Sequence, residues 1–465
     1  MRIRGLRWWI VVLVFLAAVS NYIDRQTLSA LAPTIQADLG MDDRDYANVV
    51  NLFLVAYTIA CLISGKLVDR LGTRTGTAVF VVWWSLANIL TAWSQGLRSM
   101  GTCRFLLGLG EAGVWPAASK VVSEWLPARE RALAIGLYTM GATIGATVAP
   151  YLVIPLASFD YAGNLPFING FSGQGTGWRV AFVITGLAGF LWLIPWFALY
   201  RRPRESKLIF GEELALIEEG EASAVVEEKG WTWGQVLSFR PVWLLLLGRL
   251  LTDPVWYFYQ FWFAKYLNTG RGLDQGSLTI TWIVYAAAGA GSLAGGWASG
   301  LLVKNGRSPV QARLWIMLGC ACLMPLSPFI AKAAGLSLTM TLAACTVFAA
   351  LAWLINISAI VVDVVPKHSI GTVFSVVAAG STLGGIAMNM IVAAMVSGPS
   401  SMPAGFLDQG FRALFGPLIG AVEGRGYEPW FLAMAFLHPL ALLLLWAGGI
   451  HRRSAPWLKG NAGST

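Results

Sequence analysis

Twelve apolar runs, each long enough to cross a bilayer, dominate this 465-residue chain. They fall at 8–32, 46–68, 75–95, 102–125, 133–156 and 179–200, then at 241–267, 277–302, 312–332, 338–364, 369–397 and 428–450. A hydrocarbon core about 30 Å thick needs about 20 apolar residues per helix. Lipid offers no partner to a backbone N–H or C=O, so each run is expected as a helix that satisfies its own backbone. Charged residues are 12% of the chain, half the roughly 25% of a soluble protein. An ordinary soluble enzyme and a disordered chain are excluded. So is a nucleic-acid-binding protein, because the net charge of +9 is gathered at run ends and not on one basic face.

The runs divide six and six around a polar stretch. The expected organisation is an all-α integral membrane protein of twelve transmembrane helices in two six-helix bundles. These would be an N-terminal bundle over 1–200, a cytoplasmic linker over 201–240 and a C-terminal bundle over 241–465. Lys and Arg in short loops set orientation. Arg2, Arg4, Arg7, Lys66, Arg70, Arg74, Lys120, Arg129 and Arg131 fall on the side of the N-terminus, and the linker adds six more. The opposite loops are poor in Lys and Arg. Both termini are therefore expected in the cytoplasm. Within the linker, Leu214, Leu216 and Ile217 among Glu212, Glu213, Glu218, Glu219 and Glu221 read as a short amphipathic helix. Two opposite-side loops, 157–178 and 398–427, are long and rich in turn residues.

The first run could pass for a secretory signal, since Arg2, Arg4 and Arg7 precede it and small residues follow. It continues through Asn21, Asp24 and Arg25 into more apolar sequence and is read as the first membrane helix. The five cysteines lie inside apolar runs, so no disulfide framework is expected. The three histidines are scattered, and neither a metal nor a cofactor is expected.

Two glycine motifs stand out. Gly108-Leu109-Gly110-Glu111-Ala112-Gly113 matches G-x-G-x-x-G, but it lies inside a membrane helix and not in a strand–turn–helix unit. Close helix packing is the expected use. Gly65-Lys66-Leu67-Val68-Asp69-Arg70-Leu71-Gly72-Thr73-Arg74 sits between the second and third runs. Gly65 would permit close helix approach and Gly72 a tight turn. Asp69, Arg70 and Arg74 could latch onto neighbouring helix ends. The corresponding place in the second half lacks the Asp-Arg pair.

Ionisable groups inside the membrane carry the sharpest signal, because a charge at the bilayer centre costs roughly 3–10 kcal/mol unless partnered or solvated. The candidates are Asp24, Arg25, Arg104, Glu111, Arg249 and Asp253. Arg104 and Glu111 share a helix face but stand roughly 10 Å apart along the axis. The first and fourth runs thus offer two opposite-charge pairs, Arg104 with Asp24 and Arg25 with Glu111, each expected in some state of the transport cycle. Permanent structural bridges are the alternative reading. Tyr22 and Tyr57 add hydroxyls. In the seventh run Asp253, Trp256, Tyr257 and Gln260 form one polar-aromatic stripe at helical spacing. Such a wall suits a polyhydroxylated ligand. Trp353 and Asn356 share a face in the tenth run, and Asn389 in the eleventh is expected to make a helix–helix hydrogen bond.

These pieces together resemble the anion:cation symporter family of the major facilitator superfamily. The carrying stretches are Asn21-Tyr22-Ile23-Asp24-Arg25-Gln26-Thr27-Leu28, the 65–74 loop, Arg104–Ala112 and Trp178-Arg179-Val180-Ala181-Phe182. Asp253-Pro254-Val255-Trp256-Tyr257-Phe258-Tyr259 is most similar to hexuronate transporters of that family. The resemblance implies proton carriers at Asp24 and Glu111. It implies a substrate carboxylate among Tyr22, Arg25, Tyr57 and Arg104, and a sugar facing Gln260, Trp353 and Asn356. A polar residue used by some relatives in the fifth helix has no counterpart among Met140, Gly141 and Ala142.

The expected function is proton-coupled uptake of a sugar acid such as glucuronate or galacturonate, by alternating access, in the inner membrane. The protein is expected as a monomer whose partners are a small organic anion, protons and the bilayer. Another organic anion (an aldonate, an aldarate or an aromatic carboxylate) is the alternative, with a non-transporting membrane sensor behind it. A membrane enzyme would want a nucleophile–base or metal cluster, which the sequence does not offer.

Overall fold

The structure, a computed structural model, describes residues 2–158, 177–222, 231–365, 369–397, 416–417 and 420–450. Every regular element among them is helical. The chain forms two compact units: Met1–Glu227 with Leu267–Trp282, and Glu228–Tyr266 with Ile283–Thr465.

The first unit holds α1 (Leu6–Ala30), α2 (Ala32–Leu39), α3 (Asp43–Leu71), α4 (Thr73–Thr91), α5 (Leu97–Glu111), α6 (Val114–Trp125), α7 (Ala128–Ser158), α8 (Gly177–Leu199) and α9 (Gly211–Ala222). The second holds α10 (Trp233–Ser238), α11 (Arg240–Phe261), α12 (Phe263–Lys265), α13 (Trp282–Lys304, whose first residue clusters with the first unit), α14 (Pro309–Leu323), α15 (Pro328–Lys332), α16 (Leu336–Val364), α17 (Ile370–Val396) and α18 (Glu428–Ala447). Eight helical stretches are apolar and long enough to cross a membrane by composition alone. The expected runs correspond to twelve helical segments, three of them broken, the seventh at Trp262 between α11 and α12.

The fourth run is one break. It was expected as a single helix over 102–125, but the chain leaves the helix at Ala112–Gly113, between α5 and α6. The ring of Phe80 lies where a side chain at Gly113 would point. Gly108 and Gly110 likewise lie against the backbones of α3 and α4. The G-x-G-x-x-G run is thus a packing surface. The ninth run breaks at Met324–Leu326, where Pro325 and Pro328 remove successive backbone donors.

Asp42 and Asp45 close a capping box at the start of α3. Asp42 Oδ1 accepts from Asp45 N at 2.8 Å, and Asp45 Oδ2 from Asp42 N at 3.4 Å. Acid in a first turn also suits the positive end of the helix.

One packing device occurs in both units. Gly141 and Gly145 of α7 sit on the carbonyls of Phe15 and Val19 in α1, and Gly380 and Gly384 of α17 sit on the carbonyls of Leu246 and Leu250 in α11. Glycines four residues apart meet carbonyls four residues apart in each case. The two units therefore repeat one close helix pair in the same register, as small-xxx-small seams do in membranes.

The start of the linker is docked on the first unit. Ile3 N donates to Leu208 O at 2.8 Å. Glu213 of α9 accepts from Leu6 N, Arg7 N and Arg7 Nη1 at 3.2, 3.1 and 3.0 Å. Arg7 also pairs with Glu130 at 2.8 Å. Ile217 is buried and Glu212 exposed, but Glu213 is buried too, so the apolar-in, acid-out pattern expected of the linker is not kept along α9.

Candidate functional site

Four helices of the first unit bring together the charged residues singled out above. α1 carries Tyr22, Asp24 and Arg25; α3 carries Tyr57; α5 carries Arg104 and Glu111; α8 carries Phe182. Asp24, Arg104 and Glu111 are all fully buried or nearly so.

Arg25 pairs with Glu111. Its Nη2 and Nε lie 2.7 and 3.0 Å from Glu111 Oε2. Three rings close around the guanidinium, with centroids 4.8 Å away for Tyr22 and 5.0 Å for Phe53 and Tyr57. The two tyrosines thus flank the cation with their faces, where the ring quadrupole is attractive. Glu111 Oε1 has no hydrogen-bond partner among the described residues.

Asp24 turns the other way. Its Oδ1 accepts from Asn88 Nδ2 of α4 at 2.7 Å, and its Oδ2 has no partner among the described residues. Arg104 does not reach it. The Arg104 Nε and Nη2 donors are buried without a hydrogen-bond partner among the described residues, and the guanidinium lies 5.0 Å from the centroid of the Phe182 ring. The Arg104–Asp24 pair, expected in some state of the cycle, is not made in this structure, where Asn88 of another helix bonds that carboxylate. A buried guanidinium that Glu111 and Asp24 reach only at a distance is poised for an anion, since an unpaired buried charge is expensive and arginine's fork fits a carboxylate bidentately.

In the second unit the stripe on α11 is partly self-satisfied. Arg249 Nη2 bonds Asp253 Oδ2 at 2.7 Å, one turn apart on the same helix. The i, i+4 spacing was visible in the sequence and would have found this pair. Trp256 meets Tyr285 edge-to-face, and Tyr257 stacks on Phe261. Gln260 is buried. On α16, Trp353 is fully buried with its ring edge-to-face on His438, at 5.0 Å between centroids. Asn356 Nδ2 donates to Gly295 O and Ala352 O at 3.1 and 2.8 Å, so its amide nitrogen ties α16 to α13. Asn389 makes the bond expected of it, accepting from Trp262 Nε1 at 2.8 Å.

Residues 14–389 match the model of the Major Facilitator Superfamily. The chain belongs to that superfamily. It is a multi-pass membrane protein of a transporter class and not an enzyme. The hexuronate transporter of Escherichia coli (strain K12) is 31% identical over 299 residues, 64% of this chain. The match spans 66% of that relative, just under two thirds of its length. The hexuronate transporter of Bacillus subtilis (strain 168) is 26% identical over 445 residues, covering 90% of this chain and 97% of that one. A solved bacterial homolog of the human lysosomal transporter Spinster, inward-facing and occupied, aligns over 98% of this chain and 100% of its own with a TM-score of 0.74. At 19% identity that likeness shows a shared fold.

The 65–74 loop of this superfamily member is anchored at several points. Gly72 has φ 76°, a conformation open to glycine. At Gly65 a side chain would meet only Pro116 Cβ, at 3.9 Å, so the close approach expected there is not made. Arg74 Nη2 caps the end of α8 by donating to Phe197 O at 2.6 Å, and Arg70 is exposed. The side chains of Lys66 and Asp69 lie outside the described residues, as do most of loops 157–178 and 398–427.

Sequence reasoning missed Asn88, Thr185 and Phe182. Asn88 was detectable as a lone amide in an apolar run. Thr185 looks like any small residue of a membrane helix.

Proposed function

We propose that this protein is a proton-coupled transporter that carries a hexuronate such as glucuronate or galacturonate into the cell. It would sit in the inner membrane with both termini cytoplasmic. The observation that carries this reading is Arg104, a buried guanidinium with unpartnered donors. The named activity of the E. coli and B. subtilis relatives supports the sugar-acid class.

In this reading Arg104 takes the substrate carboxylate. Protonation of Glu111 removes the charge that holds Arg25 and frees that guanidinium, caged by Tyr22 and Tyr57, for the same anion. Asp24 is the second proton carrier. Trp256, Tyr257, Gln260 and Trp353 supply aromatic and amide surface for the sugar, and Asn356 contributes through its free carbonyl side. One proton with a monoanion is electroneutral. Two move a net charge, worth about 2.3 kcal/mol per 100 mV.

The test is uptake of labelled glucuronate and galacturonate into proteoliposomes under an inward proton gradient, beside Glu111→Gln. Saturable uptake that collapses with a protonophore and in the variant supports the reading. No uptake of either acid by folded protein overturns the hexuronate assignment, and a panel of aldonates, aldarates and aromatic carboxylates then identifies the anion.

A further inference from the structure

The proposed mechanism gives Asp24 a proton and Arg104 the substrate, yet no ion pair joins the two. Between them stands a neutral network that spans α1, α4 and α8. Asn88 is fully buried on α4. Its Nδ2 donates to Asp24 Oδ1 at 2.7 Å and to Thr185 Oγ1 at 2.8 Å, with Phe182 O at 3.3 Å. Phe182 is the residue whose ring carries Arg104. One residue of α8 therefore faces Asn88 with its carbonyl and Arg104 with its ring.

The chemistry of the amide makes this arrangement sensitive to one proton. An ionised carboxylate only accepts, so Asn88 must present its N–H to Asp24. A protonated Asp24 that carries its proton on Oδ1, the oxygen facing Asn88, must donate there. Asn88 Oδ1 is buried without a hydrogen-bond partner among the described residues. A half-turn of the Asn88 carboxamide sets that oxygen against the Asp24 O–H and withdraws Nδ2 from Phe182 O. The Thr185 hydroxyl then donates to that oxygen in place of Phe182 O, which it meets at 3.5 Å.

We propose that Asn88 is the positioning residue that transmits the protonation state of Asp24 to Arg104, by way of Phe182. This rests on the reading of Asp24 as a proton carrier and Arg104 as the anion-binding group. The other charged groups acting on Asp24 are Glu111 and Arg104, both on α5. Its neighbour Arg25 is engaged by Glu111. α4 and α8 meet it with Asn88 and Thr185. On α7, Glu130 is paired with Arg7, Tyr138 with Ser119, and Tyr151 packs on Trp282. On α6, Glu124 is bonded by Thr73 and Tyr200. The amide thus links Asp24 to the guanidinium's platform, beside Thr185, which also bonds the Asp24 carboxylate.

The experiment measures binding of glucuronate and galacturonate, or of whichever panel acid is taken up, to purified protein between pH 6 and pH 8. Wild type, Asp24→Asn, Asn88→Ala, Thr185→Val, Thr185→Ser and the Asp24→Asn/Asn88→Ala double variant are compared. Infrared difference spectra follow the protonated Asp24 carboxyl in parallel, which needs no substrate. In wild type, acidification tightens binding about tenfold, a usual size for two coupled sites. In Asn88→Ala that ratio falls below about twofold while binding at the favoured pH survives. Thr185→Ser keeps the wild-type ratio, Thr185→Val reduces it, and the double variant adds nothing to Asp24→Asn. Should Asn88→Ala fail to fold, Asn88→Ser carries the same expectation. A folded Asn88 variant with the wild-type ratio overturns the relay. If Asp24→Asn itself keeps that ratio, or if no Asp24 carboxyl band titrates, the reading of Asp24 as the proton carrier falls instead.

Discussion

Asp24 and Arg25 are neighbours in sequence but turn to different helices, Arg25 to Glu111 of α5 and Asp24 to Asn88 of α4. The peptide between them separates a charged pair from a neutral network. Both acids are buried, and each keeps one oxygen without a partner among the described residues. Two carboxyls in such different company can take up protons in separate steps.

The Arg25–Glu111 pair should resist loss of one partner more than loss of both. Breaking a buried pair leaves an uncompensated charge, worth about 3–5 kcal/mol, whereas removing both charges is often near neutral. Glu111→Ala is therefore expected to melt well below Arg25→Met/Glu111→Ala in a detergent thermal-shift series. Equal melting of the two variants would show that the pair contributes little.

Arg104 presents the opposite case, a cation with no ion-pair or hydrogen-bond partner among the described residues. Arg104→Met is expected to melt no lower than wild type while weakening sugar-acid binding by at least about tenfold, roughly 1.4 kcal/mol. Arg104→Lys keeps the charge but loses the planar fork, and its affinity should fall between the two. Isothermal titration beside thermal melting separates these effects.

The two glycines of the 65–74 loop should differ sharply. Gly72→Ala forces a side chain into a glycine-only backbone conformation, at about 1–3 kcal/mol. Gly65→Ala meets ordinary contact inside a helix and should be neutral or stabilising by up to about 1 kcal/mol. Denaturation of the two variants side by side checks this.

Glu213 gathers three donors from the start of α1. Glu213→Ala is expected to loosen the linker while leaving the membrane helices intact. Amide exchange should quicken across 203–222 with little change in the melting temperature of the protein. Unchanged exchange there would mean that α9 is held by its apolar face alone.

Most of the fold could be read from spacing alone, because lipid forces each apolar run to satisfy its own backbone. The break between α5 and α6 could not, because it depends on where Phe80 of another helix places its ring. The candidate site divides in the same way. Arg25 with Glu111 was within reach because only opposite charges can share a dry interior cheaply. Asp24 with Asn88 was not, since a neutral amide offers no charge rule and its helix is set by tertiary packing. Asn356 was read as a ligand group, and the packing of α16 on α13 uses its nitrogen. The Asp-x-x-Asp spacing at 42–45, before an apolar run, is itself a legible capping signal.

The partners of α1 have a consequence for how the chain is made. Asn88 follows Asp24 by 64 residues, and Glu111 follows Arg25 by 86. A ribosome adds about 5–20 residues per second, so Arg25 waits roughly 4–17 s for its carboxylate. During that interval the first helix carries an acid and a base that bare lipid would reject. Its residence beside the insertion machinery is therefore set by the synthesis of α5, and the first unit assembles only once its fourth membrane segment has arrived.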